Sequence, residues 1–486
     1  MLLQALKLAS LVAIGLPAGS VGRSIPKRAV SSAQSWVSSN DGTYQLTKYN
    51  APSQGDGSGS SISSTWSLAV DDTSSGHKQT IDGFGAAVTD ATVTVFSELS
   101  SGQQTALLND LFTDATDDGA SFNLLRHTIG SSDLSSSVYT YDDSSSPDTS
   151  LKNFDLTANG TDMVNWISRF ASASGSLKLL GSCWSPPGWM KLNGAVYGNT
   201  TDNNLNTDYA SEYAQYFVDY IQAFADGGVT VDAITIQNEP LNSQSGYPTM
   251  YLDADTATSL IQNHVGPALS SAGLSTEIWA YDHNTDKPSY PQTVLDGASD
   301  YVSNVAWHCY ATGNSWTVLS DFHANNSDVT QYMTECWTSP TTSWHSTIDF
   351  FMGPLQNWAS GAIAWTLGTD TNYGPHLSGG CSSCRGIVTV DTSAGTYTKT
   401  ADFYWIAQFS RFIPRGSIAL STTGSYDYGN GDKIEGQAFV QPDGTRVLVI
   451  ENGFDNDVEL TVNFTSGETW SGPLYSQSLT TWLLPS

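Results

Sequence analysis

The chain has 486 residues, 39% of them hydrophobic, enough to bury a large core and to fill one big barrel plus a smaller domain. Asp and Glu outnumber Lys and Arg 47 to 18, for a formal net charge of −29. That balance argues against phosphate backbones and anionic membrane surfaces, so neither nucleic acid nor a membrane is expected as partner. A neutral polymer fits better, and 15 Trp, 22 Tyr and 17 Phe supply flat apolar faces for sugar rings, although much of that aromatic content is core.

In chain order, Lys7, an apolar run over 8–16 and the small residues Pro17-Ala18-Gly19-Ser20 read as a secretory signal, too short for a membrane anchor. Pro26-Lys27-Arg28 follows as a dibasic processing site, so residues 1–28 are expected to be signal and short propeptide, with Ala29 the mature start and the protein extracellular. Sequons at Asn159, Asn199, Asn325 and Asn463 agree with secretion. Residues 29–78 are rich in Ser, Thr and Gly, with Asn40-Asp41-Gly42 as a hairpin turn and Trp66-Ser67-Leu68-Ala69-Val70 alternating as a strand.

From Gln79 the texture changes to strands separated by helical segments. Eight strands begin near Thr80, Phe122, Leu177, Ala233, Glu277, Asn304, Val329 and Ala362. Met163, Trp166, Ile167 and Phe170, and likewise Tyr213, Tyr216, Phe217, Tyr220 and Ile221, fall at helical spacing in the connectors. Eight such units over 79–410 predict an α/β fold, a (β/α)8 TIM barrel, whose chemistry sits at the carboxyl ends of its strands. An open doubly wound sheet would need a cofactor cue, and none is present: Gly83-Phe84-Gly85 has Val88 where a dinucleotide loop wants Gly or Ala. A tight turn under a bound sugar suits those glycines better. Residues 411–486 then read as short antiparallel strands, including a hairpin turning at Pro442-Asp443-Gly444. With the strands of 29–78 they are expected to form a small antiparallel β-sandwich side domain, since each set alone is short of strands.

The strand ends collect polar and aromatic groups: Asp82 on the first, Arg126 and then Asp133 on the second, Trp184 on the third, Asn238 and Glu239 on the fourth, Tyr281-Asp282-His283 on the fifth, His308 and Tyr310 on the sixth, Glu335 on the seventh and Trp365 on the eighth. An isolated Glu beside a strand is usually a solvated loop residue. Two of them, in Gln237-Asn238-Glu239-Pro240 and Met333-Thr334-Glu335-Cys336, would meet at one barrel mouth, where a pair of carboxyl groups can break a glycosidic bond. Arg126, set in the apolar string Phe122-Asn123-Leu124-Leu125, should be ion-paired if buried, with Glu335 or with another acid. His308 reads as a hydrogen-bonding wall residue, His283 less clearly so. No HExxH or paired metal spacing occurs, so no metal and no cofactor is expected. Cys381 and Cys384 suit a tight disulfide in a glycine-rich loop, a lone CxxC being weak evidence for zinc, while Cys183, Cys309 and Cys336 lie in apolar strings as buried thiols.

As a set, Ile81-Asp82-Gly83-Phe84-Gly85-Ala86, Tyr139-Thr140-Tyr141-Asp142, Trp184-Ser185-Pro186-Pro187-Gly188-Trp189-Met190-Lys191, the two glutamate strings, Phe403-Tyr404 and Phe409-Ser410-Arg411-Phe412-Ile413-Pro414 resemble glycoside hydrolase family 30, and within it the fungal endo-β-1,6-glucanases. The resemblance covers nearly all of the mature chain. It implies a barrel with a side β-domain, retention of anomeric configuration, Glu239 as general acid/base and Glu335 as nucleophile. It further implies that Asn238 bonds the 2-hydroxyl, that Tyr310 holds the nucleophile, and that Asp133, Trp184 and Trp365 bind and stack the sugar at the bond to be cut. The expected partner is a β-glucan, and the expected state a monomer. Rival readings are a retaining hydrolase of another β-linked substrate, such as glucosylceramide, xylan or a short oligosaccharide, and a carbohydrate-binding protein without catalysis.

Overall fold

The computed structural model describes residues 29–198, 201–313 and 315–486; the expected signal and propeptide segment and the sequon at Asn199 lie outside them. Eight parallel strands close into a barrel: β1 Gly83–Val88, β2 Leu124–Ile129, β3 Lys178–Cys183, β4 Ala233–Thr235, β5 Glu277–Asn284, β6 Val302–His308, β7 Thr330–Glu335 and β8 Ala359–Ala364. Helices pack outside through the faces their spacing foretold. Met163, Trp166, Ile167 and Phe170 of Thr157–Ser174 are buried, as are Tyr213, Tyr216, Phe217, Tyr220 and Ile221 of Ala210–Asp226. Each such side chain contributes about 1.5–3 kcal/mol by leaving water.

Side chains two apart on a strand share a face, so the barrel interior is built in layers. One layer is apolar: Leu124, Leu180, Ala233, Trp279, Ala306, Tyr332 and Ile363 form a buried cluster in which Trp279 and Tyr332 stack at 3.8 Å. Two residues further along six of these strands come Arg126, Ser182, Thr235, His308, Thr334 and Trp365, so the layer beneath the mouth is almost wholly polar. Strand β5 breaks the count. Its pairing shifts register between Tyr281 and His283, and Tyr281 and Asp282 have φ of 82° and 59°. The extra residue of this bulge turns Asp282, rather than Tyr281, into the polar layer.

The opposite end of the barrel corrects one expectation. Asp82 lies at that floor, accepting from the Tyr332 hydroxyl and pairing with Lys178 Nζ at 3.0 Å, while Arg415 donates to the carbonyls of Asp82, Asn123 and Ser176. Gly83-Phe84-Gly85 opens β1 there and is no turn under a sugar. A Cβ on Gly85 would come within 2.1 Å of the Leu124 carbonyl oxygen, so glycine is required by the close approach of β2.

The side domain draws on both ends of the chain. Gln34–Ser39 pairs antiparallel with Ser478–Leu484, and Thr65–Asp71 runs between Val458–Phe464 and Ile418–Thr423. Lys433–Val440 and Arg446–Asn452 make the hairpin at Pro442-Asp443-Gly444, while the strand after Asn40-Asp41-Gly42 is Thr47–Tyr49. Leu68, Val70, Leu420, Ile434, Leu448, Ile450, Leu460, Val462 and Trp482 fill its core. Among the described residues no helix is long and apolar enough to cross a membrane.

Cys381 and Cys384 form a disulfide, and so do Cys309 and Cys336, which the apolar setting had suggested were thiols. These two directly follow β6 and β7, and the parallel pairing of those strands brings their Cα atoms to 5.4 Å despite 27 residues of separation. Cys183 is buried as a thiol.

Candidate active site

Arg126 organises the polar layer. It is fully buried, and its guanidinium reaches Glu335 Oε2 at 2.7 Å through Nη1, and Asp282 Oδ2 at 2.8 Å, Asn238 Oδ1 at 2.5 Å and Ser182 Oγ at 3.1 Å through Nη2. Both partners that its sequence setting allowed are present, the strand-end glutamate and another acid. A delocalised, forked donor set is what lets one side chain hold two acids and an amide at once.

Asp282 is the second hub. Thr235 and Thr334 hydroxyls each donate to it at 2.7 Å, Ser182 donates as well, and His308 Nε2 lies 3.0 Å from Oδ1. Burial pushes its carboxyl up, but the charges of Arg126 and His308 outweigh that and hold it well below the usual carboxylate range. His308 is the mirror case: burial pushes it down, but the negative charges of Glu335 and Asp282 carry it to about 9. The ring is therefore an imidazolium at neutral pH, with Nδ1 pointing its proton at Glu239 Oε1, 3.3 Å away.

Glu239 follows β4 with φ of 45°, a left-handed conformation that a non-glycine residue takes only under constraint. Its amide donates to the Asp282 carbonyl at 3.0 Å, its Oε2 accepts from Asn242 Nδ2 at 2.8 Å, and His283 Nδ1 stands 3.5 Å from Oε1. Burial pushes the carboxyl up, yet the contacts from His283 and His308 dominate and hold it below the usual carboxylate range. Glu335 receives the Tyr310 hydroxyl at 2.9 Å on Oε1 and Arg126 on Oε2, so both its oxygens are fixed. His308 Nδ1 lies 3.3 Å from Glu239 Oε1 and 3.9 Å from Glu335 Oε1. These two oxygens are thus no more than about 7 Å apart, a bound that accommodates the ~5–5.5 Å carboxyl separation of retaining glycosidases.

Above this layer opens a cavity of about 220 Å³ lined by Asp133, Trp184, Asn238, Glu239, Tyr247, Tyr310, Glu335, Trp337, Trp365 and the Cys381–Cys384 pair. A roomier groove of about 650 Å³ on the side domain gathers no barrel strand-end group. Trp184 and Trp365 stack on each other at 5.2 Å, with the Arg126 guanidinium 4.8 Å from the Trp184 ring. Asp133 is buried, which together with the charges of Glu335 and Glu239 raises its carboxyl to about 7. Seven of the nine site residues picked from the sequence line this one cavity. Arg126 and His308 do not: both are fully buried below it, so they act on a ligand through Glu335, Glu239 and Asn238 rather than by touching it. Asp282 was collected among the strand-end groups but not picked as a site residue, although an acid directly after the apolar run Ile278-Trp279-Ala280-Tyr281 was the available signal.

Glu239, His283 and His308 offer ligand atoms within 4.8 Å of one another, the one such trio among the described residues. Its contacts lie at hydrogen-bonding range, His308 Nδ1 at 3.3 Å and His283 Nδ1 at 3.5 Å from Glu239 Oε1.

Residues 81–413 match the Glycosyl hydrolase family 30 TIM-barrel domain, and residues 416–482 match the Glycosyl hydrolase family 30 beta sandwich domain. The chain belongs to glycoside hydrolase family 30. Similar family 30 relatives include Endo-1,6-beta-D-glucanase neg1 of Aspergillus fumigatus, 57% identical over 95% of this chain and 96% of that protein. Endo-1,6-beta-D-glucanase of Neurospora crassa is 56% identical over 93% and 95%. Among solved structures, the endo-beta1,6-glucanase BT3312 superposes with a TM-score of 0.81 at 27% identity, covering 94% of this chain and 99% of that one.

Proposed function

We propose that this family 30 chain is a secreted, retaining endo-β-1,6-glucanase that works by double displacement. The observation that carries the chemistry is the pair Glu239 and Glu335, held no more than about 7 Å apart at one barrel mouth. The linkage rests on the similarity to the Aspergillus and Neurospora enzymes. Secretion is supported by the signal-like residues 1–28 and by two disulfides, which persist in oxidising compartments.

In this reading Glu335, aimed by Arg126 and Tyr310, attacks the anomeric carbon from one face while Glu239 protonates the departing oxygen from the other. His283 and His308 hold the Glu239 carboxyl below the usual range, so it must gain that proton when substrate binds. A sugar in the cavity strips water from the carboxylate and favours its neutral form. The proton is at hand on His308 Nδ1, and the imidazole left behind keeps its Nε2 hydrogen on Asp282. Glu239 then deprotonates the water that releases the glycosyl group. Asn238, fixed by Arg126, is the group to bond the 2-hydroxyl, and Trp184 and Trp365 wall the sugar.

Proton NMR of the first products from a β-1,6-glucan tests stereochemistry and linkage together. The β anomer should come first, as oligosaccharides of mixed length; an initial α signal sinks double displacement, and release of glucose alone sinks endo action. Turnover surviving intact in Glu335→Gln would remove the nucleophile from this scheme.

A further inference from the structure

Trp184-Ser185-Pro186-Pro187-Gly188-Trp189-Met190-Lys191 reaches past the cavity into a part of the rim that the chemistry above does not use. Lys191 is 4% exposed and has no acid beside it; its Nζ donates to the carbonyls of Val196 at 3.0 Å, Tyr197 at 3.4 Å and Thr249 at 2.7 Å. One buried amino group, whose pKa burial pushes down to about 7, therefore staples the loop after β3 to the loop after β4. The two loops also pair through Tyr197 with Pro248 and Asn204 with Tyr251, and the Leu192 amide donates to Asn204 O at 2.9 Å. Gly198 leaves no room for a Cβ, which would fall 1.9 Å from Thr249 Oγ1.

A rim so firmly held exposes unusual side chains. Three of the five large hydrophobics exposed among the described residues stand on it: Leu192 at 58%, Tyr197 at 40% and Tyr251 at 36%. Tyr197 stands at the edge of the reaction cavity, since its bridge partner Pro248 is the chain neighbour of Tyr247, which lines the cavity, and Tyr251 follows on the same loop. Apolar side chains that keep a third or more of their surface in water beside a sugar-sized cavity are not explained by core packing. A pyranose ring offers a face of C–H bonds to an aromatic ring and an edge of hydroxyls to nearby amides and carbonyls. The net charge of −29 disfavours a polyanion in the same place.

We propose that Tyr197, Tyr251 and Leu192 form a binding track for β-1,6-linked glucosyl units beyond the bond being cut, held in shape by the Lys191 staple. The inference rests on the glucanase reading and supplies its preference for long chains. Binding energy gained on remote units is what lets an endo-enzyme favour polymer over fragments.

The test compares kcat/KM on soluble β-1,6-glucan with kcat/KM on the shortest β-1,6-linked oligosaccharide that is cut, for wild type, Tyr197→Ala/Tyr251→Ala, Lys191→Met and Lys191→Arg. In the tyrosine double variant the polymer-to-oligosaccharide ratio should fall roughly tenfold or more, through KM on polymer. Lys191→Met should lower the same ratio, and Lys191→Arg should recover part of it. Retardation of the folded proteins in gels containing β-1,6-glucan gives a readout independent of turnover, and the double variant should lose it. A ratio unchanged in the double variant, or equal losses on both substrates, overturns the track. A wild-type chain that neither cuts nor binds β-1,6-glucan overturns the substrate reading, and with it the named occupant, before any variant is made.

Discussion

Arg126 is the residue on which the site's electrostatics turn, because it is the fixed positive charge facing two buried carboxylates. Removing it leaves His308 to face Asp282 and Glu335 without the guanidinium, and breaking a buried pair from one side costs about 3–5 kcal/mol. Arg126→Met should therefore lower unfolding stability by that amount in urea titrations as well as abolish turnover; a variant that is inactive yet as stable as wild type would mean the layer is not held by this charge. Asp133 gives the opposite case. Its carboxyl is raised from 3.8 to about 7, so between those pH values the unfolded chain has released a proton that the folded chain still holds. Stability contributed by this group thus falls as pH rises through that window, by about 1.4 kcal/mol per unit, and the penalty is complete above it. Asp133→Asn should gain stability over wild type at pH 8 and not at pH 3.5, and a gain independent of pH would refute the assignment. Both glutamates were legible because each ends an apolar strand-like run. Asp282 was not, since a regular strand would have faced Tyr281 inward, and only the bulge, which propensities do not reveal, reverses that.

At the scale of elements, all eight strands could be read from the alternation of apolar runs and helical connectors, and their order around the barrel follows from parallel pairing. What could not be read was how the ends of neighbouring strands are fastened. Cys309 and Cys336 each look like core thiols in isolation, and only closure of β6 against β7 places them together. Their bond sits one residue from His308, Tyr310 and Glu335, which makes it the tie that holds the hydroxyl donor of β6 against the carboxylate of β7. Cys309→Ser/Cys336→Ser should lose about 2–4 kcal/mol of stability. At a temperature where it remains folded, its kcat should fall more than its KM changes. Unaltered kcat would reduce the bond to a staple. Asp82 and the glycines of β1 were misplaced to the mouth for a related reason: glycine spacing reports close approach without saying which end of a strand it occupies.

The whole molecule is a barrel with a sheet beside it that neither end of the chain can complete alone. Thr65–Asp71 separates Val458–Phe464 from Ile418–Thr423, so its loss would open two strand edges in the middle of a sheet. A chain that starts at residue 73 should accumulate as aggregate, measured as the soluble fraction and by light scattering, even though every barrel strand is retained. Recovery of a soluble, cooperatively melting protein would show the barrel to be self-sufficient. The side domain is also tied to the barrel by a buried polar contact: Glu451, wholly buried, meets His345 Nδ1 of the barrel helix Trp344–Gln356 and pairs within its own domain with Lys433 at 3.0 Å.

The partnership of Gln34–Ser39 with Ser478–Leu484 has a bearing on biosynthesis. Polypeptide leaves the ribosome at roughly 5–20 residues per second, so the first strand waits on the order of tens of seconds before its neighbour exists. Through that interval the barrel segments can begin to assemble while the leading segment must be kept from pairing elsewhere. The sheet can then be sealed only once Ser478–Leu484 has emerged to take its place beside Gln34–Ser39.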